Sequence, residues 1–309
     1  MIKYILKRIL SLIPVLIGVT FIVFTLLHLT PGDPARMVLG EQAPQEAVDD
    51  LREEMGLNDP FLVQFGNYVY KAVVKQDIGR SYITKTPVSE EIMNVFPATL
   101  KLASLSMFIA VLIGIPFGII SAIRQYSLFD STVMVFALVG ISMPVFWLGL
   151  LLILLFSVKL HWLPSSGFYS IKHMILPAIT LGAQSIAIIT RMTRSSMLEV
   201  IRQDYIRTVK AKGQKESKII LRHALGNALI PIITIAGLQF GILLGGAVLT
   251  EAIFSIPGVG RLMVESIKMR DYPIVQGGVL YIAIAFSVVN LLVDLLYAYV
   301  DPRIKAQYK

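Results

Sequence analysis

The side chains best suited to chemistry at a surface are concentrated in residues 204–225, a basic segment with apolar residues at both ends. Its cations are Arg207, Lys210, Lys212, Lys215, Lys218 and Arg222. Its apolar residues share one helical face before Gly213 and another after it: Ile206 and Val209, then Ile219, Ile220, Leu221 and Leu225. Such a segment predicts docking into a groove of a soluble partner through apolar contact and complementary charge. A solvated loop that owes its charge to membrane orientation is the alternative.

Gly213 divides this basic segment into two halves. A glycine inside a continuous helix costs about 1 kcal/mol relative to alanine. We therefore predict two short helices that meet at an elbow at Gly213.

The remaining reactive side chains form no recognisable catalytic or ligand set. The chain has no Gly-Lys dipeptide, and therefore no phosphate-binding loop of the G-x-x-x-x-G-K-[ST] type. It has no cysteine, no H-E-x-x-H and no G-x-S-x-G. Its four histidines are too scattered to predict a zinc site: His28, His161, His173 and His223. We predict no catalytic residue, no metal and no cofactor bound by this chain.

The composition is that of an integral membrane protein. Of the 309 residues, 55% are hydrophobic and only 16% are charged, and the mean hydropathy is +0.72. A helix crosses the hydrocarbon core with about 20 apolar residues. Six continuous apolar runs satisfy this length, so we predict an all-α membrane protein with six transmembrane helices. The runs cover 9–29, 98–122, 131–158, 174–193, 227–249 and 276–299. The first lacks a cleavage site, which predicts an uncleaved helix.

The distribution of Lys and Arg predicts the orientation of these helices, with both termini in the cytoplasm. Nine basic residues lie between Arg191 and Arg222, whereas residues 30–97 carry six Lys/Arg against eleven Asp/Glu. The net charge of +8 therefore reflects membrane orientation. No aromatic-basic motif supports nucleic-acid binding, and no nucleic-acid partner is expected.

Residues 30–97 are predicted to form an extracytoplasmic cap of amphipathic helices. One helix is expected over Pro44–Met55, ended by Gly56, and a second along an apolar stripe from Leu62 to Val73. A third opens after Pro87 and is expected to end at Pro97, before the second span begins.

Small and polar residues inside the spans indicate close packing and a possible pathway. Two ladders with four-residue spacing predict helix–helix faces: Ala110, Gly114, Gly118 and Ala122, then Gly237, Gly241 and Gly245. Pro144 cannot donate to the carbonyl of Gly140, which predicts a kink. Beside Pro144, the residues that could line a path are Ser142, Gln184 and Gln239, with packing contacts as the alternative for each. Ionisable groups are scarce inside the predicted spans, and Asp294 in the last span is the exception. It is either a functional group or a structural partner near the interface.

The chain resembles the permease subunits of ABC importers, in particular those of the peptide/nickel branch. Its basic segment is similar to their coupling loop, whose pattern is E-A-A, three residues, Gly, nine residues, I-x-L-P. Here Gly213 holds the glycine, Arg207-Thr208-Val209 stands for E-A-A, and His223-Ala224-Leu225-Gly226 stands for I-x-L-P. Further similar stretches run nearly end to end: 4–35, 55–69, GISMPVFWLGLLLI at 140–153, 191–213, LTEAIFSIPGVGRL at 249–262, and VDPRIK at 300–305.

This resemblance implies the first of two permease subunits of a dipeptide or oligopeptide importer, with the type I ABC-importer permease fold. Residues 1–309 would form one transmembrane permease domain, with a cytoplasmic coupling loop at 194–226. The partners implied are a second homologous permease, two cytoplasmic ATPases that hold ATP and Mg, and an extracytoplasmic substrate-binding protein. The membrane implied is the bacterial or archaeal plasma membrane. The same machinery importing nickel, a metal chelate or glutathione is the alternative, followed by a stand-alone secondary transporter.

The resemblance also assigns roles to residues of this chain. Coupling to the ATPases would fall to Asp204, Tyr205, Arg207, Thr208, Lys210, Ala211, Lys212 and Gly213. The external gate and the dock for the binding protein would fall to Ser255, Ile256, Pro257, Gly258, Val259 and Gly260.

Overall fold

A computed structural model describes residues 2–40 and 42–300, with the backbone alone described for residues 2–7, 294 and 297–300. The described residues are almost entirely helical. In chain order the helices are α1 (Ile2–Leu29), α2 (Pro34–Leu39), α3 (Gln45–Glu54), α4 (Phe61–Val74), α5 (Val88–Ile123), α6 (Leu128–Ser142), α7 (Val145–Leu152), α8 (Ile171–Ile201), α9 (Asp204–Ala211), α10 (Glu216–Lys218), α11 (Leu225–Ile253), α12 (Val259–Lys268) and α13 (Tyr272–Val300).

Five long helices and one broken pair have the length and apolar character to cross a membrane, which confirms the predicted all-α architecture. The five are α1, α5, α8, α13 and the helix that runs from Glu216 to Ile253. The broken pair is α6 and α7, the latter continued by wide π-helical turns over Ile153–Lys159.

The break between α6 and α7 is sharper than a kink. Helix α6 ends at Ser142, α7 restarts after Pro144, and the two halves differ in direction by 108°. Pro144 caps the new helix because it has no N–H to donate back to α6 and because its φ of −60° suits the residue before a first turn. The predicted kink is therefore confirmed, as a complete interruption.

Helices α5 and α8 form the centre of the bundle through the first ladder of small residues. Ala110, Gly114, Gly118 and Ala122 are all buried. A Cβ at Gly118 would stand 2.5 Å from Cβ of Thr193 and 2.7 Å from the carbonyl oxygen of Thr190. Only glycine permits this approach, so the prediction of a packing face is confirmed within the chain itself.

The second ladder is a packing face for only part of its length. Gly237 and Gly241 lie against Val293 and Phe286 of α13, where a Cβ would overlap the neighbouring side chain. Gly245 has no neighbour within 4 Å and is exposed. The part of α11 around Gly245 is therefore uncovered in the isolated chain.

The expectation that a helix ends at Pro97 is wrong. Helix α5 begins after Pro87 and continues through Pro97 to Ile123. A proline in a helix interior costs about 3 kcal/mol. The same buried stripe continues on both sides of the proline, from Val88 and Ile92 to Thr99 and Leu102, so tertiary packing offsets that cost.

The bundle has two ends, which are distinguished by the segments that meet there. At the first, which we call the basic end, the turn at 124–127 meets the α8–α9 junction, where Arg202 donates to the side chain of Gln125 at 3.2 Å. At the second, which we call the opposite end, the N–H of Gly167 donates to the carbonyl of Phe254 at 2.9 Å, and Ser81 donates to Asp271. Helices α2–α4 also belong to the opposite end, where aromatic rings of α4 contact Phe21, Phe24 and His28 of α1.

Candidate coupling and gating sites

The basic segment forms an elbow, as predicted. Helix α8 ends at Ile201, and after two residues α9 begins at Asp204. Gly213 follows α9 with a φ of +70°, a left-handed conformation that glycine adopts without strain. The half after Gly213 is not a short helix, however, because it continues from Glu216 through wide turns into the membrane-crossing helix that ends at Ile253.

Part of the apolar face predicted to dock on a partner is occupied within the chain itself, although Leu221 stays exposed. Ile206, Ile219 and Ala224 are buried together against Met197 of α8. Tyr205 joins the same contact, since its hydroxyl donates to the carbonyl oxygen of His223 at 3.2 Å and accepts from the side chain of Asn227 at 2.7 Å. The apolar periodicity thus fixes α9 to the base of α11.

The cationic residues of the segment are exposed, unlike its central apolar residues. Arg207, Lys210, Lys212, Lys215, Lys218 and Arg222 are all exposed. Asp204, Thr208 and Ala211 lie on the same exposed side of α9, and Asp204 pairs with Arg207 at 3.5 Å. A helix fastened by one face and cationic on the other can present charge to a partner without moving relative to α8 and α11.

The four candidate pathway residues differ in their surroundings. Ser142 and Pro144 are exposed at the break between α6 and α7, and Gln184 is half-buried on α8. Gln239 is 6% exposed and its side-chain oxygen accepts from the hydroxyl of Ser185 at 3.1 Å. Its polar group therefore serves helix packing between α8 and α11. The side chain of Asp294 lies outside the described part of the chain.

The loop between α11 and α12 is organised by a buried carboxylate that the sequence analysis missed. Glu251 is fully buried in the last turn of α11. Its two oxygens accept from the hydroxyl of Thr99 at 2.7 Å and from the N–H of Arg261 at 3.1 Å. Thr99 in turn accepts from the N–H of Val259 at 2.9 Å. One side chain of α11 thus joins α5, the loop and the first turn of α12.

The two glycines of the loop make room for this carboxylate. A Cβ on Gly258 would overlap the carboxylate of Glu251, and a Cβ on Gly260 would overlap the backbone of Val248. Of the six residues predicted to face an external partner, Ile256, Gly258, Val259 and Gly260 are buried, and only Ser255 and Pro257 are exposed. The spacing of Glu251 ahead of two glycines was the available signal, but the predicted span ended at residue 249 and left the glutamate outside it.

A second buried carboxylate fastens the segment before α5 to the same end of the bundle. Asp271, 3% exposed, accepts from the hydroxyl of Ser81 and from the N–H of Tyr82 at 3.0 Å. Burial, and then the charge of Asp271, raise the pKa of Tyr82 to about 12. The hydroxyl of Tyr82 therefore stays neutral at physiological pH.

The class of protein follows from comparison with known families. Residues 114–306 match the model of the binding-protein-dependent transport system inner membrane component, and residues 1–103 match the model of the N-terminal part of such membrane components. The chain belongs to this family. It is a permease subunit of an ABC importer and not an enzyme, since ATP hydrolysis in these systems belongs to separate ATPase subunits.

Among the relatives that match over nearly the whole length of both proteins are a dipeptide permease and a glutathione permease. The chain is 50% identical to the dipeptide transport system permease protein DppB of Alkalihalophilus pseudofirmus, over 99% of this chain and 100% of that protein. It is 45% identical to the glutathione transport system permease protein GsiC of Escherichia coli K12, over 99% of each.

Solved structures confirm the predicted permease fold. Two inward-facing crystal forms of the MetNI methionine ABC transporter match 68% of this chain and 96% of their own, with TM-scores of 0.56 and 0.58 at 18% and 19% identity. At that identity the match concerns the fold alone.

Proposed function

We propose that this chain forms half of the membrane pathway of an ATP-driven importer that takes up dipeptides or oligopeptides from an external binding protein. The observation that carries the proposal is the 50% identity to a dipeptide permease over the full length of both chains. Glutathione is the second candidate, because a glutathione permease is 45% identical over the same extent. Since glutathione is itself a peptide, both candidates use one chemical class of cargo. Nickel and metal chelates are treated as outcomes of the uptake test below.

The partners proposed are a second homologous permease, two ATPase subunits and the external binding protein. The exposed cations of α9 would face the ATPases, whose ATP and Mg supply the energy. In this scheme closure of the ATPase pair on ATP turns the permeases outward, the binding protein releases its peptide, and hydrolysis restores the inward state. Ser255 and Pro257 are the loop residues that remain accessible to a binding protein.

The basic end is proposed to face the cytoplasm, with both termini on that side, in a bacterial or archaeal plasma membrane. The excess of Lys and Arg around α9 supports this orientation. It can be tested directly because the natural chain has no cysteine. Single cysteines at Leu128 and Tyr169, which are 88% and 91% exposed at the two ends, form a matched pair. A membrane-impermeant maleimide should label the cysteine at 169 in intact cells and the one at 128 only after permeabilisation; the reverse pattern would invert the topology.

The substrate is tested by uptake in cells that lack this chain. Labelled dipeptide, glutathione and nickel are measured in parallel, with the gene restored as the control. Loss of dipeptide uptake, recovered on restoration, is the expected result. Loss of glutathione uptake alone would select the second candidate, and loss of nickel uptake alone would overturn both.

A further inference from the structure

One carboxylate at the basic end holds four segments of the chain together. Asp130 lies in the first turn of α6 and is 3% exposed. The guanidinium of Arg194 on α8 grips it in a two-pronged ion pair, with Nε to Oδ1 at 2.6 Å and Nη2 to Oδ2 at 2.7 Å. The same carboxylate accepts from the hydroxyl of Ser121 on α5 and from the N–H of Tyr126 in the α5–α6 turn at 3.0 Å.

The geometry of the Asp130–Arg194 pair resists both rotation and translation of α6 relative to α8. A bidentate guanidinium–carboxylate pair fixes direction as well as distance, which a lysine in the same place would not do. Because the Asp130 side chain is almost fully buried, its four bonds do not exchange readily with water. The pair therefore joins the start of α6 to α8 more firmly than an exposed ion pair would.

The position of Arg194 connects this joint to α9. From Arg194, α8 continues for two turns to its end at Ile201, and α9 begins three residues later at Asp204. A second contact, from Arg202 to Gln125, ties the end of α8 to the same turn. These contacts form a continuous chain from α9 through α8 and Asp130 to the beginning of α6.

The other end of α6 is the 108° break at Ser142–Pro144. Beyond the Asp130 joint, a Cβ on Gly140 would stand 3.5 Å from Cβ of Ala187, an ordinary van der Waals distance. Beyond the break, a Cβ on Gly149 of α7 would approach Thr180 of α8 to 3.1 Å. Among the residues that the structure describes, the pair of Asp130 and Arg194 is the one side-chain hydrogen-bonded contact between α6 and α8.

We propose that Asp130 and Arg194 are positioning residues for transport: they make α6 and α8 move as one body, so that motion of α9 reaches the break in the membrane. This inference rests on the proposed function for its driving force. A pair that served only to stabilise the fold would lower transport and ATP hydrolysis together. A coupling pair, when weakened, leaves hydrolysis running while transport falls.

The test uses the complete transporter in proteoliposomes, with its ATPases, partner permease and binding protein. The variants are Asp130→Asn, which keeps the shape of the side chain, and Arg194→Lys, which keeps the charge and loses the fork. Asp49→Asn, the same chemical change in an exposed pair on α3, is the matched control. We expect the ATP hydrolysed per dipeptide taken up to rise about tenfold in Asp130→Asn, less in Arg194→Lys, and not at all in the control. An unchanged ratio, or an equal loss of both activities, would overturn the proposal.

A distance measurement separates this inference from the proposed function. Spin labels on cysteines at Leu128 and Glu199, both exposed, report the separation of α6 and α8. We expect the same distance in nucleotide-free and vanadate-trapped transporter when Asp130 is present, and two different distances in Asp130→Asn. If the distance in Asp130→Asn is the same in the nucleotide-free and vanadate-trapped states, the inference is overturned, even when the unaltered transporter moves dipeptide normally. Failure of the unaltered transporter to move dipeptide would instead refute the proposed function.

Discussion

Replacing Glu251 by methionine is expected to loosen the loop between α11 and α12 without unfolding the bundle. Methionine has a similar length but only a weak acceptor, its thioether sulfur, so the part-buried N–H of Arg261 loses its carboxylate partner. The hydroxyl of Thr99 can turn to a carbonyl of its own helix, as threonine does in helices. At least one backbone donor, the N–H of Arg261, is therefore left unpaired, at a cost of about 1–3 kcal/mol.

This cost converts into a rate of local opening. At about 1.4 kcal/mol for each factor of ten, the loop should open roughly 5 to 140 times more often. Amide hydrogen exchange followed by mass spectrometry measures that opening directly. The expected result is exchange faster by this factor in peptides that cover residues 255–262, with α8 unchanged.

The control for this experiment is Glu265→Gln. Glu265 pairs with Arg261 at 2.7 Å, but both side chains are partly exposed, and exposed pairs contribute about 0–1 kcal/mol. Exchange in Glu251→Met that stays within twofold of the unaltered protein would refute the view that the carboxylate organises the loop. If hydrogen exchange is accelerated equally in Glu265→Gln, the argument that Glu251 matters because it is buried is refuted.

Three further outcomes are expected. Gly118→Ala should destabilise the detergent-solubilised protein by about 1–3 kcal/mol and lower its midpoint of thermal unfolding, because the new Cβ would overlap Thr193. Gly245→Ala should leave the midpoint unchanged, since Gly245 has open space around it. Equal midpoints in the two variants would contradict the packing argument. Gly213→Pro should abolish transport and its coupling to ATP while leaving membrane insertion intact, because proline cannot adopt a φ of +70°; normal transport would exclude a role for the elbow. The absorbance of tyrosinate should show Tyr82 ionising near pH 12. Because an unfolded tyrosine ionises near pH 10, the contribution of Tyr82 to stability is full below pH 10 and is lost as the pH rises to about 12. Ionisation of Tyr82 near pH 10 would show that its hydroxyl is not buried.

Periodicity and length were sufficient to predict the helices of the membrane. Each span is a continuous apolar run, and the hydrocarbon core leaves no other arrangement of the backbone. Gly213 and Pro144 were also correctly predicted as interruptions, because each acts through its own backbone geometry. Features that depend on one residue and its peptide group can be found without knowledge of the tertiary contacts.

Features that depend on distant contacts were missed. Pro97 is tolerated because residues on both sides of it are buried, which no local pattern reports. Glu251 and Asp130 are acceptable in a membrane protein because donors from other helices surround them. Ile206 was expected to contact a partner, whereas its actual neighbour, Met197, lies on the preceding helix. In each case the missing information was the partner across the bundle.

Uptake by purified components tests the central claim most directly. The chain is reconstituted in liposomes with its partner permease and ATPases, and labelled dipeptide is supplied on the external binding protein. We expect accumulation that requires ATP inside the liposomes, requires the binding protein outside, and is lost in Gly213→Pro. Accumulation that continues without ATP or without the ATPases would contradict the account, because it would make this chain a transporter that works on its own.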